Sequence, residues 1–551
     1  MQTQSDNSMS QAKLLIERIR VSVDASDEAI VTKAKEKMKR ASIDTSTLHF
    51  RLYKKSIDAR NKQDIRFECT VLVEGEFSNK QLEAPALERL QARTLNEAEP
   101  CITHGSEPMK ARPIVVGMGP AGLFAALLLA QNGYAPLLID RGGSVAERTG
   151  DVERFRTEGV LNTESNVQFG AGGAGTFSDG KLITRINDPL CNYVIKSLVD
   201  FGAPKDITVK AKPHVGTDIL RIVVDNILAE IERLGGRVIY HCRMDEIFEN
   251  ADKTLTVKTT KGDFLAGALF LAPGHSARDT YRYLIKQNYA IEAKPMSVGV
   301  RVEHLQADID RALFGDFAGH PNLGPAEYSL SDTKGERGVY TFCMCPGGEV
   351  VAAASEEGGL VVNGMSYHAR NNPNANAAVA VSVRCEDYEK EEGSTPLGAI
   401  AFQRRIERAA FEAGGRNYYA PVMVMKDFLD GTHTGSFGRV MPSYRDGKVT
   451  PADLDQVFPP FVTRSLRNGF RSFGQKIQGF DAPDTMLTAA ETRTSAPVRI
   501  LRNKDTMTAV GHPLIYPCGE GAGYAGGITS AAVDGLRAAM GLISAFAPAK
   551  E

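Results

Sequence analysis

One stretch limits the fold more than any other: Arg112-Pro-Ile-Val-Val-Gly117-Met-Gly119-Pro120-Ala121-Gly122, a run of Leu, Phe and Ala to Ala130, then Leu137-Leu-Ile-Asp140-Arg141. It reads as a strand, a glycine turn, a helix and a second strand ending in a carboxylate. The apolar run Ile114–Val116 predicts a buried strand. Gly117 permits a tight turn, Gly119 leaves the backbone bare, and Gly122 lets the helix lie close to the strand. The helix start, with Pro120 and Ala121, offers free N–H groups and a positive dipole end to a phosphate. Asp140, roughly 20 residues on and followed by Arg141, is placed to accept hydrogen bonds from a ribose. The stretch therefore predicts a bound dinucleotide without choosing between NAD and FAD.

The pattern G-x-G-x-x-G also occurs at Gly170–Gly175 and Gly521–Gly526. Neither copy has both a preceding apolar strand and room for a following β-α-β unit, so neither is a second nucleotide turn. The loop Gly170–Lys181 nearly matches a P-loop, but Leu182 stands where the magnesium-binding hydroxyl belongs. Five glycines in eleven residues, followed by polar side chains, suit a backbone laid against a ligand; a plain surface loop is the alternative.

At 551 residues, two or three domains are expected. A net charge of −2 gives no overall pull toward nucleic acid or an anionic membrane. No run of about 20 apolar residues is present and the first thirty residues carry no signal core. Eight scattered cysteines suggest neither a disulfide framework nor a zinc site. The expectation is a reduced, cytoplasmic protein with no metal and no membrane partner.

Five segments follow from the pattern. Residues 1–95 read as a small β-α-β-β domain: a polar, disordered start over 1–10, a strand Glu17–Val23, and a helix Asp27–Lys39 capped by Asp24 or Ser26. Ala29, Ile30, Ala34 and Met38 lie on the apolar side of that helix, and strands Leu48–Tyr53 and Ile65–Val73 follow. Residues 96–111 form a polar linker. Residues 112–289 start the nucleotide domain, with a helix near Thr217–Leu234 and strands Arg237–His241, Thr254–Thr259, Gly262–Gly267 and Ala268–Ala272. Residues 290–482 read as an inserted α+β domain with strands Ser297–Val302, Val339–Met344 and Val350–Ala354 and helices Pro396–Ala413 and Ala452–Phe473. Residues 483–551 return to the first domain with strand Leu514–Cys518 and a helix from Thr529 to about Ala545.

Two distant segments favour FAD. Leu269-Phe-Leu-Ala272-Pro-Gly274 resembles the strand-plus-glycine element of two-dinucleotide flavoproteins of the glutathione-reductase fold. Leu514-Ile-Tyr-Pro-Cys518-Gly519-Glu520, with Gly526-Gly527-Ile528-Thr529, resembles their C-terminal flavin motif, here with Gly-Glu in place of the usual Gly-Asp. Together with Gln168–Leu182, Phe342–Gly348, Asn363–Tyr367 and Glu491–Ser495, nearly the whole chain resembles the predicted FAD-dependent dehydrogenases with a small N-terminal α+β domain. The resemblance implies an α/β protein with a Rossmann-like FAD domain and an inserted α+β substrate domain. It places Glu520 at the ribityl chain and the Gly526–Thr529 helix start at the flavin ring. Gly172, Gly173, Thr176, Ser178, Lys181, Met244, Ala272 and Gly274 join the expected flavin-lining set. No second complete strand–glycine turn–helix–acid unit is present. NAD(P)H would then visit the flavin only transiently, or electrons come from the substrate or a redox partner.

Cys343-Met-Cys345 is the most suggestive chemistry. In a regular strand the two thiols share a face about 6.6 Å apart at Cα, at the edge of disulfide geometry. A redox-active pair beside a flavin and two small packing residues are the competing readings; Cys518 reads as packing. Tyr367, His368, Arg370, Asn371 and Asn374 form a polar cluster that suits a substrate carboxylate or a plain turn. Residues 31–66 carry eleven Lys and Arg against four Asp and Glu, with Lys33, Lys37 and Arg40 on one helical side. Such faces are ordinarily solvated, so nucleic acid is the weaker partner reading. The functional expectation is an FAD-dependent oxidoreductase that passes a hydride between flavin and a small organic substrate. The alternatives are a nucleic-acid-associated flavoprotein and a flavin-binding protein without turnover.

Overall fold

The computed structural model describes residues 8–95, 99–100, 102–392 and 396–549. The chain divides into two compact units, one of Met1–Glu99, Pro204–Pro213 and Asp310–Ala326, the other of Pro100–Ala203, His214–Ile309 and Glu327–Glu551.

In the first unit a four-stranded sheet has the order His49–Asp58, Arg66–Ser78, Met9–Ser22, Ala92–Thr94. The helix Asp27–Arg40 starts at Ser26, whose side chain accepts the N–H of Ala29 at 3.2 Å, and buries Ile30, Ala34 and Met38. Ala29, expected on that face, is exposed. The strand begins at Met9, so the expected disorder over 1–10 does not extend to its last residues; 1–7 lie outside the described residues. Two remote segments join this unit. Ala211 donates to Lys55 O at 3.0 Å, and Lys55 to Val209 O at 2.7 Å. His320 meets Asp24 at 3.1 Å. The basic helix is partly committed inward: Lys37 Nζ donates to Glu17 O and to Gln91 Oε1, each at 2.8 Å, and Lys33 donates to Arg20 O.

The second unit is built on a parallel sheet of five three-residue strands, in the order Ile515–Pro517, Leu269–Leu271, Ile114–Val116, Leu137–Ile139, Arg237–Ile239. The first four strands in that order are apolar and buried on both faces, which is how a parallel sheet under helices reads in sequence. The helices Pro120–Gln131 and Ile528–Ala545 pack so closely that a Cβ on Gly535 would stand 2.1 Å from Ala121 O. A three-stranded antiparallel sheet (Met244–Glu249, Leu255–Thr259, Gly262–Ala266) extends this region. The polar stretch expected as a linker is not wholly irregular, because Glu107–Pro108 pairs with Phe546–Ala547.

A seven-stranded mixed sheet also belongs to this unit, in the order Ser331–Asp332, Val339–Cys345, Asn374–Val383, Met296–Leu305, Met486–Glu491, Ala420–Val424, Val449–Pro451. Its Asn374–Val383 strand is absent from the strands read off the residue pattern, and Asn374, expected in a polar turn, begins it; all but one of its residues are buried. The helix expected over Ala452–Phe473 instead starts at Pro460, after a short turn at Leu454–Gln456, and runs to Lys476. Pro459 and Pro460 set that start, since a proline fits the first helical turn and breaks an interior one. No helix among the described residues is long and apolar enough to cross a membrane.

Candidate functional site

The glycine turn is fixed by close backbone contacts. Gly117 has φ +101°, and a Cβ there would lie 2.1 Å from Ala272 O. A Cβ on Gly122 would lie 1.9 Å from Gly117 O. Gly119 differs: its φ is an ordinary −73°, and the nearest atom to an added Cβ is Gly173 Cα at 3.8 Å. Gly119 caps the helix Pro120–Gln131 with no side-chain hydrogen bond, and Pro120 has no N–H to waste at the first position. Asp140 braces the turn from the next strand. Its Oδ2 accepts Met118 N–H at 2.8 Å and its Oδ1 accepts Gly142 N–H at 2.9 Å. Each oxygen keeps acceptor capacity for a further donor.

The second glycine loop lies on this turn: Gly172 N–H donates to Met118 O at 2.9 Å, and Ala171 N–H to Gly143 O at 3.1 Å. Arg148, fully buried on the helix Val145–Glu158, holds it from behind. Its guanidinium donates to Asn166 O at 2.8 Å, Ala171 O at 2.6 Å, and Val167 O and Gly173 O at 2.9 Å, and stacks 4.7 Å from the Phe177 ring centre. Burial pulls its pKa down to about 9, while the charge of Asp140 opposes the shift.

One cleft collects most of the expected residues: Gly117, Gly119, Pro120, Ala121, Asp140, Arg141, Gly173, Ser178, Lys181, Met244, Ala272, Gly274, Cys343, Gly519, Glu520, Gly526, Gly527 and Ile528. Gly122, Gly172, Thr176, Thr529 and Cys345 do not line it. Gly172 and Thr176 face one another inside the loop, and Thr529 Oγ1 donates to Leu182 O at 2.8 Å. These residues shape the wall rather than touch the space within it.

The cleft suits an elongated anionic nucleotide. A Cβ on Gly274, Gly526 or Gly527 would meet nothing within 4 Å, so main chain faces open space there. Two helices start at the cleft with no side-chain cap, at Gly119 and at Gly527, so two sets of N–H groups are offered to an anion. Glu520 is partly exposed toward the cleft; burial raises its carboxyl to about 7, with Lys294 pulling the other way. Cys518, by contrast, is wholly buried and burial drives its thiol up.

The lining also includes Phe342, Cys343, Asn363, His275, Glu491, Arg493 and Thr494, and the Cys343 charge is felt at Glu520. Arg301, fully buried, donates from Nε to Glu491 Oε2 at 2.9 Å, from Nη1 to Cys343 O at 2.7 Å and from Nη2 to Asn363 Oδ1 at 2.8 Å. Burial lifts the Glu491 carboxyl to about 7 against the pull of Arg301. Arg493 and Arg278 share Glu407, at 3.1 and 2.8 Å. Burial, followed by those two cations, keeps His275 neutral, down to about 3. Lys181 sits 3.0 Å from Glu327 and 3.3 Å from Asp179, and Arg370 closes the quartet by bonding both acids.

The cysteine pair departs from strand geometry. Register with Asn374–Val383 is regular to Phe342 and then jumps to Cys345↔Asn376, and Cys343 has φ +45°. The two thiols therefore do not lie as i and i+2 of a flat strand, and all described cysteines are unbridged. The polar cluster around Tyr367 does not line the cleft. Arg370 is spent in the buried quartet, and Asn374 Nδ2 bonds Glu303 Oε1 at 2.9 Å.

A family model described as "FAD-dependent protein, C-terminal domain-like" matches residues 295–494, and one described as a domain of unknown function (DUF8436) matches residues 14–74. A Clostridium beijerinckii protein carrying the name "Uncharacterized protein" is 45% identical over 537 residues, covering 96% of this chain and 98% of the relative. Among solved structures, CtdE in complex with FAD is 9% identical over 78% of this chain and 83% of its own, with a TM-score of 0.32. Halogenase PltM is 11% identical over 78% and 67%, at 0.37. The tetracycline destructase Tet(51) is 12% identical over 79% and 81%, at 0.32.

Proposed function

This chain belongs to the family of its Clostridium beijerinckii relative and matches a model of FAD-dependent proteins over residues 295–494, and from that premise we propose that it is an FAD-dependent oxidoreductase acting on a small organic substrate. The observation that carries the reading is the cleft, where two uncapped helix starts and bare glycines at 119, 274, 526 and 527 stand along one trough. The parallel strand order and the return of Ile515–Pro517 to the five-stranded parallel sheet support a flavin domain of the glutathione-reductase type.

Bound FAD would supply a two-electron carrier. Gly117, Gly119 and the helix start at Pro120 would hold its pyrophosphate, and Asp140, with Arg141 beside it, the adenosine end. Gly173, Ser178 and Lys181 would flank it, Ala272, Gly274 and Met244 would line its course, and Glu520 with Gly526, Gly527 and Ile528 would meet the ribityl and ring end. The substrate would enter where Phe342, Cys343, Asn363 and Arg493 line the cleft. Arg493 offers charge to an acidic group, and neutral His275 offers a proton acceptor or donor. NAD(P)H is proposed as a transient electron source, since the chain carries one complete nucleotide turn.

Anaerobic mixing with NADH, NADPH or a panel of metabolites tests the reading. Bleaching of the flavin absorbance is expected, and its recovery with turnover once an oxidised metabolite or dioxygen is admitted. A tightly bound flavin that none of these reduces counts against an oxidoreductase and for a binding protein without turnover.

A further inference from the structure

One cysteine of a close pair lines the cleft and the other is buried in its wall. Cys343 lines the cleft, whereas Cys345 is completely buried. The bulge in Val339–Cys345 turns residue 343 into the left-handed region, a strained conformation for a non-glycine residue that the surroundings must hold. Arg301 holds it by donating to Cys343 O at 2.7 Å, and the Cys345 thiol lies 3.4 Å from that same oxygen. The sulfur of Cys345 thus sits back beneath residue 343.

We propose that Cys343 and Cys345 are a redox-active dithiol in which Cys343 attacks, Cys345 resolves, and the substrate is a small disulfide. The proposal deepens the oxidoreductase reading and rests on it only for the source of electrons. Cys343 thiolate attacks one sulfur of the substrate R–S–S–R, forming a Cys343–S–S–R mixed disulfide and releasing one thiolate. Cys345 then gives up its proton and attacks Cys343 Sγ, closing the Cys343–Cys345 disulfide and releasing the second thiolate. The departing thiolates take up both thiol protons. The substrate gains two electrons and two protons, and the protein loses them. A two-electron donor, the class to which a reduced flavin belongs, must restore the dithiol.

The electrostatics fit this division of labour. The hydrogen bond from Cys345 favours the Cys343 thiolate against burial, with Arg301 and Lys181 adding positive charge and Asp179 and Glu491 opposing them. Cys345 is pushed the other way by the same neighbour and by burial. An ionised attacker in front of a protonated resolver is the arrangement thiol exchange needs.

Thiol trapping on the full-length protein tests this. Reduced, desalted protein is treated with 2-hydroxyethyl disulfide, desalted again, unfolded in guanidinium chloride with iodoacetamide and digested with trypsin; the peptide Gly338–Arg370 holds these two cysteines and no other. In the wild type both labels should vanish together with the loss of two hydrogens, and dithiothreitol should restore them. Cys345→Ser should stop at a hydroxyethylthio adduct on Cys343, and Cys343→Ser and Cys343→Ala should show neither adduct nor disulfide. Full alkylation of both wild-type cysteines after treatment overturns the proposal, as does Cys345→Ser without an adduct. Flavin absorbance read on the same wild-type sample separates the two readings. Bound flavin with inert thiols removes the dithiol alone, and a disulfide in a protein that takes up no flavin removes the FAD reading alone.

Discussion

Asp140 Oδ2 accepts the main-chain N–H of Met118 at 2.8 Å, joining the end of one parallel strand to the glycine turn that follows its neighbour. Because Oδ1 simultaneously holds Gly142 N–H, the carboxylate shapes the turn before it meets any ribose. Asp140→Asn must turn an NH2 group toward one of two N–H donors and lose that bond. The expected cost is about 1–3 kcal/mol of stability and a weaker flavin complex. Denaturant midpoints and flavin titration of the variant check this; an unchanged midpoint contradicts the bracing role.

Two glycines of one motif should fail differently. Gly119→Val places its side chain toward the open cleft with normal backbone angles, so the protein should fold with near-wild-type Tm and bind no flavin. Gly122→Ala drives a methyl to within 1.9 Å of Gly117 O, an overpacking that costs about 1–3 kcal/mol or more. Thermal melts and bound-flavin assays on both variants separate them. A Gly119→Val protein that keeps stoichiometric flavin contradicts the assigned phosphate position.

Arg148→Met should loosen the glycine loop. Four carbonyl oxygens, on Asn166, Val167, Ala171 and Gly173, lose their donor in a site that excludes water. The expected loss is at least about 3 kcal/mol, read as a lower denaturant midpoint. Flavin retention should fall with it, because Gly173 lines the cleft.

The buried ion network should govern acid unfolding. Burial works against Glu356 and Glu407, but Arg404, Arg278 and Arg493 prevail and hold both carboxyls low, Glu356 to about 2. Their folded-state values lie below their unfolded ones, so the stability they add is complete above about pH 4.5 and is lost as pH falls toward 2. Glu407→Gln leaves Arg278 and Arg493 short of charge and should cost about 3–5 kcal/mol at pH 7. That difference from wild type should shrink steadily in melts taken from pH 5 down to pH 2.5; a constant difference contradicts it.

Much of the nucleotide half is legible in the residue pattern because its short apolar strands are bracketed by glycines with distinct steric duties. The other half hides its centre. Asn374–Val383 alternates Ala with Asn and Val, without the bulky β-branched run that marks a strand, and only its two long neighbours reveal it. Apolar periodicity runs on across Pro459-Pro460, so it begins that helix too early. Arg148 lies among Glu147, Asp151 and Glu153 and looks like one charge of a solvated helix face; nothing local reports that it grips a loop 20 residues on. Strand periodicity also puts the two thiols of Cys343-Met-Cys345 on one face, because a bulge leaves no mark in the residue pattern.

The most direct measurement is the cofactor content of the purified full-length protein after incubation with excess FAD and desalting, with FAD released by heat and quantified against protein. A yellow protein carrying FAD in a one-to-one ratio is predicted. A cooperatively folded protein that remains colourless at saturating FAD contradicts the account at its centre.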